Sequence, residues 1–189
     1  MNTSLWAPWR LSYLRDLDRK ATAAGRSATG GPTGGPTDGG VGGSDDDFLR
    51  TVWESPRLDL ENHVILRAAD GLVLLNRYPY ANGHLLIALG EAQPLLGAYS
   101  SEQRRSFWAL VDLAVALCHR TISPQGVNIG VNEGRAAGAG VPAHLHAHVV
   151  PRWHGDTNFI TVVGDVRVIP DSLERMAEQY RAALPGLVV

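Results

Sequence analysis

Residues 144–150, which read HLHAHVV, alternate between histidine and apolar side chains through Val149. Successive side chains of a β-strand point to opposite faces of the sheet, so this alternation predicts a strand with two chemically different faces. One face would pack into the core through Leu145, Ala147 and Val149. The other would present three imidazoles in a row to the outside: His144, His146 and His148. Pro151 is expected to end the strand, because proline cannot donate a hydrogen bond to a sheet ladder.

A loop of small residues, from Asn132 to Pro142, leads directly into this strand. Such a loop can turn its backbone N–H groups toward an anion. The candidate donors to a bound phosphate are the amides of Gly138, Ala139 and Gly140. Imidazoles next to an anion-binding loop indicate chemistry on a phosphate group.

The three histidines allow three interpretations. In the first, they occupy the solvent face of a strand and have no function. In the second, imidazoles bind zinc; alternate residues lie about 6.5 Å apart along a strand, so two rings can converge on one ion, whereas the outer pair, about 13 Å apart, cannot easily do so. In the third, a neutral imidazole attacks an α-phosphate and forms a nucleotidyl-histidine, which a second acceptor then reopens.

Apolar runs and helical spacing elsewhere predict an α+β domain with a five-stranded, largely antiparallel sheet and two main helices. Strands are expected at residues 63–68, 72–76, 84–89 and 126–131 and at the histidine stretch. Asp70-Gly71 is typical of a hairpin turn between the first two. Ser100 and Gln103 form a capping box at the start of the first helix, and Pro170 fits the first turn of the last.

The organisation of the chain follows from a change in composition. Residues 20–46 contain nine glycines between Gly25 and Gly43 and are expected to form a flexible linker, which ends in the charged run Asp45-Asp46-Asp47, interpreted as solvated. Residues 1–19 would be an N-terminal arm packed on the main domain. Residues 47–189 would form that domain.

Several further blocks accompany the histidine stretch: residues 5–10 (LWAPWR), 75–84 (LNRYPYANGH) and 149–159 (VVPRWHGDTNF). With the histidine stretch and its glycine loop, they resemble the histidine triad superfamily of nucleotide hydrolases and transferases. The similarity is to the bacterial branch near the fragile-histidine-triad proteins, which includes diadenosine tetraphosphate phosphorylases. The resemblance implies the histidine triad fold, a nucleotide substrate and a homodimer in which two sheets join edge to edge. It also offers an alternative for the N-terminal arm, which would lie near the nucleotide site or across a dimer contact.

The resemblance also implies roles for individual residues. His146 would be the nucleophile, His148 would contact the phosphate or the leaving oxygen, and His144 would orient His146. Asn132 would contact the phosphate or the backbone, and Asn76 the ribose. Two residues keep alternative roles: His84 either contacts the substrate or makes a structural hydrogen bond, and Trp153 either stacks on a base or packs.

The second half-reaction stays open at this stage. Water would make the enzyme a dinucleoside polyphosphate hydrolase that yields AMP, and inorganic phosphate would make it a phosphorylase that yields ADP. Related phosphorylases carry a serine where this loop has Gly140, which would weaken the binding of a second phosphate. The arm and the block after the histidines favour the phosphorylase slightly. A nucleotide-sensing module without turnover is the remaining alternative.

Composition limits the partners. A net charge of −2 gives no indication of nucleic-acid binding. Cys118 is the single cysteine, and residues 47–50 (DFLR) stand where related proteins carry a Cys-x-x-Cys of a structural zinc site, so no protein-bound metal is expected. No cofactor is predicted beyond Mg²⁺ arriving with the nucleotide. Without an apolar run of about 20 residues or a signal peptide, a cytoplasmic protein with no membrane contact is expected.

Overall fold

Five strands make up the sheet: β1 Val64–Arg67, β2 Gly71–Leu75, β3 Leu85–Leu89, β4 Gly126–Val131 and β5 His146–Arg152. The structure is a computed structural model and describes residues 47–156 and 169–187. Neighbouring strands pair antiparallel in the order β1-β2-β3-β5-β4, which confirms the predicted sheet and the α+β class. The expected arm (residues 1–19) and linker (residues 20–46) lie outside the described residues.

Within the described ranges, three α-helices accompany the sheet: α1 Phe48–Glu54, α2 Ser101–Ile122 and α3 Leu173–Ala183. The predicted capping box starts α2, where Ser100 accepts from the Gln103 amide and the Gln103 side chain accepts from the Ser100 amide. Helices α2 and α3 pack on one face of the sheet. The core on this side is built from apolar side chains of both layers, among them Val73, Ile87, Ala147, Val149, Phe107, Leu117, Met176 and Tyr180.

Helix α1 covers part of the other face and was not predicted. Asp47 is its N-cap and accepts a 3.0 Å hydrogen bond from the Arg50 amide. Leu49 and Val52 pack on Leu86, Ala88 and other side chains of the sheet. Arg67 donates to the Val52 and Trp53 carbonyls at the end of the helix. A helix of seven residues spans two turns, too few to show helical periodicity in the sequence.

Two prolines do not have the predicted positions. Pro170 precedes the N-cap of α3, which is Ser172, because the Ser172 side chain accepts from the Arg175 amide and starts the helix there. Pro151 lies inside β5 and pairs with Val127 of β4, although it was expected to end the strand. The pairing of β5 with β3 ends at Val149, so β5 has a single neighbour at Pro151, which is the environment a strand proline tolerates.

Within the part of the chain that the structure describes, no helix combines the length and apolar character needed to cross a membrane.

Candidate active site

The histidine stretch lies in the middle of the sheet, between β3 and β4. His146 and His148 are on β5, directly opposite Ala88 and Leu86, and cross-strand partners share a face of the sheet. His144 precedes the strand. The prediction that all three imidazoles face solvent is wrong: His144 is 0% exposed, His146 is 4% exposed and His148 is half-buried. Part of the reason is that α1 lies on this face, where its Leu49 and Val52 form a cluster with Ala88 and Leu86, the cross-strand partners of His146 and His148.

His146 has one ring nitrogen fixed by the backbone. Its Nδ1 lies 2.9 Å from the carbonyl oxygen of His144. A carbonyl only accepts hydrogen bonds, so Nδ1 carries the proton and Nε2 keeps its lone pair in the neutral ring. Burial lowers the pKa of His146, the hydrogen bond to the His144 carbonyl raises it, and the charge of His144 lowers it further. The net direction is down, which favours the neutral, nucleophilic form at pH 7.

His148 is fixed through a chain of hydrogen bonds that starts at the Tyr80 amide. This N–H donates to His84 Nδ1 over 3.1 Å, so the proton of a neutral His84 is on Nε2. His84 Nε2 lies 3.0 Å from His148 Nδ1 and donates to it. A neutral His148 must then carry its own proton on Nε2, as a hydrogen-bond donor. Burial, and secondarily the charge of His146, lower the pKa of His148 from 6.5 to about 4.

Asn76 and Tyr80 surround His84. Asn76 Nδ2 is 3.3 Å from His84 Nδ1, and Asn76 Oδ1 accepts from the Tyr78 amide. The Tyr80 ring lies 4.7 Å from the His84 ring and 5.8 Å from the His148 ring, centroid to centroid, and stacks on His148. His84 is therefore both a structural hydrogen-bonder and a direct contact of the triad. The ribose contact expected of Asn76 stays a prediction.

The glycine loop uses part of its backbone for its own turn. The Gly138 amide donates to the Arg135 carbonyl, and the Ala139 amide donates to the Gly134 carbonyl. Two of the three predicted phosphate donors are thus engaged in this conformation. The Gly140 amide has no backbone hydrogen bond within the described residues. Asn132 Nδ2 is 3.5 Å from the Gly138 carbonyl, so Asn132 contacts the backbone of the loop, one of its two expected roles.

Trp153 follows the end of β5 and is half-buried. Its amide donates to Asp156, which also forms a two-pronged ion pair with Arg152. These contacts fix the backbone of this turn. They do not involve the Trp153 ring, so its two interpretations, stacking on a base and packing, both stay predictions.

One residue of the site was missed in the sequence. Asp47, interpreted as solvated linker charge, has a side chain that is 10% exposed and pairs with His144 Nδ1 at 2.9 Å. The partners are 97 positions apart, so no local pattern indicates the contact. One local signal for its place in the structure was that aspartate is a favoured N-cap. Among the described residues, no group of three or more His, Cys, Asp or Glu side chains is arranged to hold a metal ion.

The low pKa of His148 predicts a dependence of stability on pH. In the unfolded chain His148 titrates near 6.5, and in the folded chain near 4. Between pH 6.5 and pH 4 the His148 ring binds a proton in the unfolded state but not in the folded state. Protonation of this ring therefore does not lower the free energy of unfolding above pH 6.5, and lowers it by about 3 kcal/mol as the pH falls toward 4. Urea unfolding at pH 7.5 and pH 4.5 would measure the loss in the wild type and in His148→Asn. We expect a smaller loss in the variant; equal losses would contradict the assignment.

Comparison with known proteins places these residues in a wider context. The sequence pattern of the HIT domain matches residues 57–155. The chain is 33% identical over 174 residues to a Mycobacterium tuberculosis protein named AP-4-A phosphorylase, covering 89% of this chain and 77% of that protein. It is 27% identical over 95 residues to an asymmetrical bis(5'-nucleosyl)-tetraphosphatase of Schizosaccharomyces pombe, covering 50% of this chain and 52% of that protein.

Solved structures give the same picture. The structure of a Zn-bound histidine triad family protein from Mycobacterium smegmatis superposes with a TM-score of 0.61 at 27% identity, covering 75% of this chain and 95% of that chain. A Hit-like protein from Bartonella henselae superposes with a TM-score of 0.58 at 20% identity, covering 75% of this chain and 98% of that one. At 20% identity, the similarity to the Bartonella henselae protein shows a shared fold and no more.

Proposed function

The chain belongs to the HIT domain family, and from this membership and the arrangement of its histidines we propose that it is a nucleotidyl-transferring enzyme acting on dinucleoside polyphosphates. The observation that carries the proposal is the 2.9 Å hydrogen bond from His146 Nδ1 to the His144 carbonyl. It leaves Nε2 unprotonated on a buried ring, and such a nitrogen can form a covalent bond to phosphorus. The name of the M. tuberculosis relative, AP-4-A phosphorylase, supports the substrate class.

In the first step, the lone pair of His146 Nε2 attacks an α-phosphate. A bond forms between Nε2 and phosphorus, and the bond between that phosphorus and the bridging oxygen breaks. With diadenosine tetraphosphate, the enzyme holds an adenylyl group and ATP leaves. The ring becomes positively charged, and the His144 carbonyl stabilises that charge through the Nδ1–H that it already binds.

His148 supplies a donor for the same step. Its proton is placed on Nε2 by the chain from the Tyr80 amide through His84. This N–H donates to an oxygen of the phosphate or of the leaving group, where negative charge develops. A donor that is already oriented requires no reorganisation during the reaction. His84, Asn76 and the Tyr80 amide thus support catalysis by fixing the tautomer of His148.

The second step transfers the adenylyl group from His146 to an acceptor. Inorganic phosphate as the acceptor yields ADP, and we propose this phosphorylase reaction because the relative with 89% coverage of the chain carries that name. Hydrolysis to AMP is the second candidate. It is favoured by Gly140, which lacks the hydroxyl of related phosphorylases, and by the similarity of half the chain to the tetraphosphatase.

Product analysis tests the proposal and separates the two acceptors. We expect diadenosine tetraphosphate to yield ATP and ADP only when phosphate is present, with radiolabelled phosphate entering ADP. ATP and AMP, formed regardless of phosphate, would assign hydrolysis. Gly140→Ser is the matched variant, because a restored hydroxyl should raise the yield of ADP at limiting phosphate. Absence of turnover under both conditions would contradict the proposed function.

The other expectations about the working enzyme remain proposals. Strand β4 is at the edge of the sheet, and Asn128, Ile129 and Gly130 are exposed there. An open edge of this kind can pair with a second copy, which fits the homodimer implied by the resemblance. We propose that the ligand is a nucleotide and that Mg²⁺ takes part only as an ion bound to the substrate. We also propose that the protein works in the cytoplasm.

A further inference from the structure

Asp47 is a charged side chain that lies against the site and has no part in the steps above. Its carboxylate oxygens lie 2.9 and 3.0 Å from His144 Nδ1. The His144 ring is fully buried, and the Asp47 side chain is 10% exposed. A charge held this far from water needs a partner of opposite sign, because burying an unpaired carboxylate is costly.

The second nitrogen of His144 identifies that partner. His144 Nε2 lies 2.7 Å from the carbonyl oxygen of Leu89, the last residue of β3. Both neighbours of the ring, a carboxylate and a carbonyl, are acceptors. Only a ring that carries protons on both nitrogens donates to both. The hydrogen-bond geometry therefore assigns a positive charge to the His144 ring, which forms an ion pair with the Asp47 carboxylate.

This ion pair is held between two packed elements. Asp47 is the N-cap of α1, and α1 is anchored by the buried Leu49 and Val52. At the other end of the helix, Trp53 packs so closely on Gly90 that a Cβ there would lie 2.1 Å from the indole. Gly90 directly follows Leu89, the second hydrogen-bond partner of His144. The docking of α1 on the end of β3 thus fixes both acceptors of the ring.

We propose that Asp47 is a positioning residue of the active site, acting on His146 through His144. The carboxylate and the Leu89 carbonyl lock the His144 ring between them, and this holds the His144 main chain in place. The carbonyl of that main chain receives the Nδ1–H of His146 and so determines which nitrogen of His146 is nucleophilic. The effect of Asp47 on the reaction rate rests on the proposed function, whereas its effect on the tautomer of His146 does not.

Two substitutions separate this role from the capping of α1. Asp47→Ser keeps an N-cap of comparable strength but is too short to reach His144 while it caps. Asp47→Asn keeps the shape, the cap and one acceptor oxygen, without the charge. Ser172→Ala is the control: it removes the N-cap of α3, a helix on the face of the sheet opposite to α1, and should lower the melting temperature without changing kcat.

For Asp47→Ser we expect kcat to fall about 10- to 100-fold with little change in KM, since displacing a catalytic group by about 1 Å has effects of that size. The kcat of Asp47→Asn should lie between that of Asp47→Ser and that of the wild type. An unchanged kcat in Asp47→Ser, or an equal loss in Ser172→Ala, would overturn the positioning role.

A spectroscopic measurement tests the same idea without turnover. Imidazole ¹⁵N shifts of the full-length protein at pH 7.5, assigned with single histidine variants, should show His144 with both nitrogens protonated and His146 protonated on Nδ1 alone. In Asp47→Ser we expect His144 to lose one proton and His146 to become a mixture of tautomers. A singly protonated His144 in the wild type would overturn the proposal. If the shifts agree but no dinucleotide is cleaved, the proposed function fails and the coupling of Asp47 to His146 stands.

Discussion

His146→Asn is expected to reduce kcat by about 10⁴-fold or more, the order observed when the nucleophile of a covalent mechanism is removed. Asparagine is the informative replacement. Its amide can still donate to the His144 carbonyl, as His146 Nδ1 does over 2.9 Å, but it has no counterpart of Nε2. The variant therefore removes the attacking nitrogen and keeps the buried hydrogen bond. Steady-state turnover of diadenosine tetraphosphate measures the loss.

The matched control is His119→Asn, the same substitution at an exposed position near the end of α2. Its kcat should equal that of the wild type. A direct measurement complements the kinetics: rapid acid-free quenching and intact mass spectrometry should detect one added adenylyl group on the wild type and none on His146→Asn. Turnover by His146→Asn close to the wild-type rate would exclude a nucleotidyl-histidine at this position, whichever acceptor is used.

The sheet could be predicted because its signals are local. The apolar runs at residues 71–75 and 85–89 and the alternation at residues 144–150 each lie within one strand. The first hairpin has its turn where predicted to within one residue: Asp70 lies in the turn, but Gly71 is already the first residue of β2. Ser100 with Gln103 supplied the start of α2. In each case the residues that determine the element are within a few positions of one another, so a single sequence contains the information.

The environment of the histidines could not be predicted in the same way. Their burial depends on α1, which is too short to show a period. The pair of Asp47 with His144 joins positions 97 apart, and the bond of His84 with His148 joins positions 64 apart. The tautomers that distinguish a nucleophile from a donor follow from these bonds and from single backbone groups. The histidines of the site could therefore be identified from the sequence, whereas Asp47 and the protonation states could not.

Gly83→Ala is expected to destabilise the protein by about 3 to 5 kcal/mol, the largest effect on stability among the changes considered. Gly83 has a φ of +75°, a region that L-residues with a Cβ rarely occupy. A Cβ there would lie 2.5 Å from the Tyr180 hydroxyl and 2.7 Å from Ile122 Cδ1. Tyr180 cannot move away freely, since it is fully buried, donates to the Gly83 carbonyl over 2.8 Å and contacts Cys118 Sγ at 3.2 Å.

Gly186→Ala separates the two causes, because Gly186 has a similar φ of +82° but its Cβ would meet nothing closer than the flexible end of Arg120 at 3.8 Å. That variant should lose only about 1 kcal/mol, from backbone strain alone. Urea unfolding of both variants measures the difference. Gly83 also precedes His84, so the steric conflict displaces the residue that orients His148, and turnover should fall in the fraction of Gly83→Ala that still folds. Equal free energies of unfolding for the two variants would contradict this prediction. They would show that Tyr180 and α3 move to accommodate the new methyl group, and that Tyr180 does not hold the turn before His84 in place.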